Sequence, residues 1–264
     1  MGGLEHANWF MTALFCTMCA IIVASVLIAQ RGREMFIRRI PGLSAIEEAV
    51  GRATEMGRPV FFSTGLWGID IVTLQALAIL SYIVKLAAKH ATRIIVGTAD
   101  SALYPVAQES VREAYEAAGA PEAFRAEDVR FVSGDQFPYA LGAVGIMARE
   151  QTATNFLFGA FFAEALILTE NGRALGALQV AGCPDPVQIP FFIATCDYVV
   201  IGDEYYAASA YLTREPTVTG SIVGQDIAKA LLMAIVLAGI GLATYFGGQH
   251  MDHSWLFRHL GTGR

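Results

Sequence analysis

The chain has 264 residues, of which 55% are apolar and only 16% charged, with a formal net charge of −6 at pH 7. That balance is more apolar than a soluble domain's and points to membrane-embedded parts. It lacks a basic patch with interleaved aromatics and any zinc-type ligand spacing, which argues against nucleic acid as a partner, and its four cysteines are too scattered for a disulfide framework.

The first element is an apolar run over residues 8–29, "NWFMTALFCTMCAIIVASVLIA", without a charge. Its length suits one crossing of a bilayer, about 20 residues. Arg31, Arg33, Arg38 and Arg39 follow at once, and no Lys or Arg precedes it. The positive-inside bias then sets the N-terminus outside and the arginines in the cytoplasm. A cleaved signal would carry its positive charge ahead of the run, so an uncleaved anchor is expected over residues 8–30. Cys16 and Cys19 lie within this run, out of the context a thioredoxin-like motif needs.

Residues 31–225 hold fifteen Lys and Arg against twenty-one Asp and Glu. Ser44 and Glu47 have the spacing of a capping box, and Gly57 is placed to end the helix they open. Short apolar runs then alternate with helical stretches. The strand candidates are "PVFFS" (59–63), "RIIVG" (93–97), "VRFVS" (129–133), "NFLFG" (155–159), "ALQVA" (177–181) and "YVVIG" (198–202). Helices are expected over 70–89, 102–118, 139–150, 163–171 and about 187–195. Near-continuous apolar strands separated by crossover helices define an α/β class, a Rossmann-like open parallel sheet of about six strands. The run 70–89 competes as a further span. Its uncharged stretch between Asp70 and Lys85 is short and broken by Thr73, Gln75 and Ser81, so it reads as a core helix.

A last apolar helix is expected over 226–248, with Asp226 and Lys229 at its cytoplasmic end, leaving an extracytoplasmic tail over 249–264. Small residues recur four apart in both spans: Cys16, Ala20 and Ala24 in one, Gly239, Ala243 and Gly247 in the other. Such rows let helices approach closely in lipid.

Each strand candidate ends in a glycine followed by an acid. In open parallel sheets, ligands bind beyond these ends. Gly65, Gly68, Asp70, Asp100, Asp135, Glu164, Asp185, Asp203 and Glu204 are therefore candidates for a shared rim. The competing reading is that each acid caps the helix it precedes. In "FFSTGLWGIDIV" (61–72) both Walker A and G-x-G-x-x-G are absent, and Asp70 would repel a phosphate. A plain turn is the stronger reading there, a ligand loop the weaker. No catalytic set and no cofactor is identified. Cys183 and Cys196 lack a neighbouring His, and His90 suits a helix C-terminus. His250 and His253 in the tail are too few for a metal site.

The segments "GRPVFFSTG", "VRFVSGDQFPYALGA", "QVAGCPDPVQIPFF" and "DYVVIGDEYYAASAYL" resemble an uncharacterised family of prokaryotic membrane proteins over roughly residues 40–245. The resemblance implies a helical anchor, a cytoplasmic Rossmann-like domain and a second helix in the inner membrane. It assigns no activity. Three functions fit these readings. The first is a structural or assembly subunit of a homo-oligomer in the bilayer, with Trp67, Tyr205, Tyr206, Gly239 and Ala243 as interface candidates. The second is a sensory module binding a small molecule or nucleotide at the rim. The third is a membrane-associated enzyme using Asp135, Asp203 and Glu204.

Overall fold

The computed structural model describes residues 9–31, 40–213 and 216–246. It divides into two compact units, one built from both ends of the chain and one spanning Arg38–Thr213.

In the larger unit six strands, β1 (Val60–Gly65), β2 (Ile94–Thr98), β3 (Val129–Phe131), β4 (Thr154–Ala160), β5 (Leu178–Cys183) and β6 (Tyr198–Ile201), form one sheet. The order is β3-β2-β1-β4-β5-β6, and every neighbouring pair is parallel. Strands β1, β2, β4 and β5 are buried along their whole length. Both faces of the sheet are covered, which explains the near-continuous apolar runs.

Side chains alternate between two cores. Val60, Phe62, Val96, Phe156, Phe158 and Val180 pack with α2 (Pro41–Met56), α3 (Ile71–Lys89), α4 (Leu103–Ala117) and α8 (Glu204–Thr213). Phe61, Ile95, Leu157 and Ala181 pack with α5 (Gln136–Glu150), α6 (Glu164–Ala174) and α7 (Ile189–Thr195). Burying each large side chain contributes about 1.5–3 kcal/mol. Helix α3 has the length and hydropathy of a span, yet nine of its residues, from Val72 to Ala87, are buried, eight of them in the first core.

Helix α2 starts earlier than the sequence indicates. It begins at Pro41 after the N-cap Ile40, and no side chain caps it. Ser44 is therefore inside the first turn, where its hydroxyl bonds the Ile40 carbonyl and lies 3.1 Å from the Tyr211 hydroxyl. Glu47 accepts from Tyr82 instead of completing a capping box. Proline at the first helical position accounts for the shift, since its missing N–H needs no partner there.

The smaller unit is a pair of helices, α1 (Trp9–Gln30) and α9 (Pro216–Phe246). Each contains a stretch long and apolar enough to cross a membrane, Met11–Gln30 and Pro216–Gly241. Helix α9 begins ten residues ahead of its expected start at 226, because Thr217, Thr219, Ser221 and Gln225 are compatible with a helix although they lower hydropathy. The expected packing rows are also displaced. Cys16, Ala20 and Ala24 are exposed, and a Cβ on Gly239 would meet open space. The close approach is at Gly220 and Gly224. A Cβ on Gly220 would lie 2.8 Å from the Val26 Cα and 2.9 Å from the Ala29 Cβ, and one on Gly224 would lie 2.9 Å from the Ile22 Cα. Gly220, Gly224 and Ala228 thus form the small-residue row, and Ser25 and Ala29 are buried on the opposing helix. The side chain of Ala243, and Gly247 and the tail over 249–264, lie outside the described residues.

Candidate functional site

The strand ends are built from the centre of the sheet outward. Past Ser63, β1 bends and its register with β4 shifts by one residue. Gly65 takes φ +77°, and Leu66 N donates to the Ala160 carbonyl at 2.9 Å. Gly65 N donates to Ser63 Oγ at 3.2 Å. Two amides that a phosphate cradle would offer are therefore used by the protein itself. A Cβ at Gly65 would fall 2.4 Å from the Ala160 oxygen, so glycine is required for the closing of β1 onto β4. Gly68 is less constrained: a Cβ there would come 3.3 Å from the Asp100 carboxylate, a tight approach to a side chain rather than to backbone. The loop is a tight strand-to-helix turn.

The acids then take up capping. Asp70 is the N-cap of α3, and its Oδ1 accepts from Thr73 N at 2.8 Å. Asp100 Oδ1 accepts from Leu103 N at 2.7 Å, and Asp185 Oδ1 from Val187 N at 2.9 Å. Each satisfies a helix or turn amide that otherwise has no partner. Asp135 precedes α5 without a side-chain cap and is exposed. Asp203 is exposed, and Glu204 opens α8 half-exposed. Glu164 is fully buried, with Oε1 accepting from Phe162 N at 2.8 Å and Oε2 from Gln136 Nε2 at 2.7 Å. Among the described residues no three His, Cys, Asp or Glu side chains gather as a metal would require.

Behind the rim sits a polar contact not anticipated from sequence. The Tyr139 hydroxyl, fully buried on α5, lies 2.6 Å from Ser63 Oγ and donates to the Gly97 carbonyl at 3.2 Å. Burial raises its pKa, so the phenol stays protonated and acts as a strut between β1 and β2. Tyr205 likewise is no interface residue. It is fully buried against Phe158, and its hydroxyl donates to the Val72 carbonyl at 2.7 Å. Tyr206 beside it is exposed, as is Trp67, whose ring centroid is 6.3 Å from that of Phe162.

What the strand ends expose is apolar. Trp67, Ile69, Ile71 and Leu74 follow β1; Phe137 and Leu141 follow β3; Phe162 and Leu166 follow β4. Val187, Phe191 and Ile193 follow β5, and Ile201 and Tyr206 stand at the end of β6. No Lys, Arg or His occurs in residues 65–72, 99–106, 132–141, 161–168, 183–191 or 202–208. The edge where the strands end is thus apolar and acidic. Arg58, Arg93, Arg130 and Arg149 lie at the opposite edge, where strands begin or the helices feeding them end. Individual apolar side chains at a surface are ordinary; here most of the exposed large ones of this unit gather on the strand-end side, with Met56 at the opposite edge.

Fold and site together define an α/β protein with a six-stranded parallel sheet, accompanied by apolar helices and carrying an apolar, acidic strand-end edge. The chain belongs to the family described as "Domain of unknown function (DUF6754)", which matches residues 3–254. No curated protein and no solved structure matches it.

Proposed function

We propose that the protein is an integral membrane assembly subunit whose Rossmann-like domain faces the cytoplasm of a prokaryotic cell and packs against further copies of the chain. The single observation that carries this reading is the strand-end edge, where large apolar side chains are exposed on all six strand-end segments with no basic residue among them. The order 3-2-1-4-5-6 is that of dinucleotide-binding sheets, which supports the Rossmann-like description. A nucleotide is a poor occupant all the same. The glycine fingerprint is missing, two loop amides are used internally, and the acids repel phosphate. An anionic lipid surface is disfavoured by the same acids. A protein surface carrying arginines suits the edge, and the opposite edge of the same sheet offers one. Head-to-tail packing of copies would join unlike charges and cover apolar area.

The outward faces of α1 and α9 support the membrane part of the reading. Phe15, Val23 and Leu27 on α1 and Met233, Val236, Leu237 and Ile240 on α9 are all exposed. Lipid or neighbouring spans must cover them. Arginines only after α1 favour a periplasmic or external N-terminus, with α9 returning the chain outward.

The test is native mass spectrometry of protein extracted gently from its own membrane. A defined multiple of the 28.4 kDa subunit is expected. A monomer at every concentration overturns the reading.

A further inference from the structure

The edge where the strands begin also holds a cleft. It has a volume of about 340 Å³ and lies between the starts of β5 and β6. Its lining includes Arg52 of α2, Arg173 of α6, Gln179 of β5, and Thr195, Cys196 and Asp197 ahead of β6. That volume is at the small end of ligand sites, large enough for a metabolite of a few heavy atoms.

The charges in the cleft are arranged unusually. Four other arginines near this edge are engaged. Arg93 and Arg130 pair with Asp128 and Glu150, Arg58 donates to the Gln151 and Thr152 carbonyls, and Arg149 donates to the Gly145 carbonyl. Arg52 and Arg173 make no ion pair or hydrogen bond to any described residue, although both reach the same cleft. The Asp197 carboxylate is already committed on one side, since Oδ2 accepts from Gln179 N at 2.8 Å. Two guanidinium groups against one carboxylate leave the lining net positive. Burial pushes the Cys196 thiol up to about 12, so it adds no negative charge.

The floor of the cleft is preorganised. The Gln179 side chain is 1% exposed, and its Nε2 donates to the Thr169 carbonyl at 2.8 Å and the Thr195 carbonyl at 3.2 Å. Its Oε1 has no partner. That oxygen is an acceptor buried on the Gly172 side together with Asn155 Nδ2, so it holds no anion itself, and the amide's part is to fix the floor beneath the two arginines. Gly172 makes room for it, since a Cβ there would lie 2.4 Å from Gln179 Oε1.

We propose that this cleft binds a small oxyanion-bearing molecule, a phosphate or carboxylate, with Arg52 and Arg173 as the two groups that hold its charge. Guanidinium groups from two different helices suit a planar or tetrahedral oxyanion, which accepts two N–H bonds from each. Because α2 and α6 lie on opposite faces of the sheet, the ligand would clip the two layers together at the edge opposite the strand ends.

The test is calorimetric titration of full-length protein in mild detergent with inorganic phosphate and, separately, succinate, at constant ionic strength set by chloride. Saturable binding of one of them to the wild type is expected, weakened at least tenfold by Arg52→Gln and by Arg173→Gln. Arg112→Gln, on the exposed face of α4 and paired with Glu109 and Glu116, should bind as the wild type does. Unchanged melting of both cleft variants without anion keeps a folding defect separate. Absence of binding by both anions, or equal binding by all variants, overturns the proposal. The oligomer mass is read separately, so failure of this site leaves the assembly reading standing.

Discussion

Gly65 and Ala160 are in backbone contact across the first and fourth strands, so close that a methyl group on Gly65 would sit 2.4 Å from the Ala160 carbonyl oxygen. With φ at +77°, an L side chain at Gly65 is strained as well as crowded. Gly65→Ala is expected to lower stability by at least about 2 kcal/mol, read as the thermal midpoint of the purified protein. Gly68→Ala has no positive φ and no backbone clash, only the Asp100 carboxylate to displace by a few tenths of an ångström, and should cost less, about 1 kcal/mol or under. If both glycines tolerate alanine, the loop is not held by this contact.

The helix pair makes an equally sharp contrast. Gly220 and Gly224 are pressed against Ser25, Val26 and Ile22, whereas a side chain at Gly239 has open space. Gly220→Leu should cost about 1–3 kcal/mol by overpacking and lower the melting temperature in detergent. Gly239→Leu should leave it unchanged. The opposite ranking would mean that the helices pair through the other row.

The assembly surface is tested by removing its apolar tips. Trp67, Phe137 and Leu141 are 45%, 55% and 66% exposed, so serine at all three removes little from the core. The triple variant is expected to keep the wild-type melting temperature within a few degrees while its native mass falls toward the single subunit. An unchanged oligomer mass would move the assembly contact elsewhere.

The parallel sheet was legible because strands buried on both faces are apolar throughout, as "NFLFG" and "RIIVG" are. Asp70, Asp100 and Asp185 were legible as caps because an acid just before a helix has one common use. What was hidden depended on partners distant in sequence. Nothing near Gly65 announces Ala160, and nothing near Ser63 announces Tyr139, 76 positions away. The glycine row at Gly220 was missed because Asp226 and Lys229 resemble a membrane boundary, while α9 runs through them. Tyr205 read as an exposed aromatic, since its neighbour Tyr206 is one; only the fold distinguishes which of the two turns inward. The cleft at Arg52 and Arg173 was invisible, because those residues are 121 positions apart and unremarkable singly.

The edge where the strands begin carries a pH-dependent contribution. Glu150 ends α5, with Arg130 Nη2 at 2.8 Å and Arg93 Nη1 at 2.8 Å. The Arg130 hydrogen bond, opposed by partial burial and reinforced by Arg93, holds its carboxyl below the usual carboxylate range. The folded pKa is depressed, so the stabilisation is fully present above the unfolded value of about 4.3 and is lost as pH falls through the folded value. The pair is partly open to water and its carboxylate stands at a helix C-terminus, which opposes negative charge, so the net effect is about 0.5–1 kcal/mol. Glu150→Gln should therefore melt below the wild type at pH 7, and the gap should close as the pH is lowered through the acid range. A gap that persists unchanged under acid conditions would assign the loss to packing of the side chain rather than to its charge.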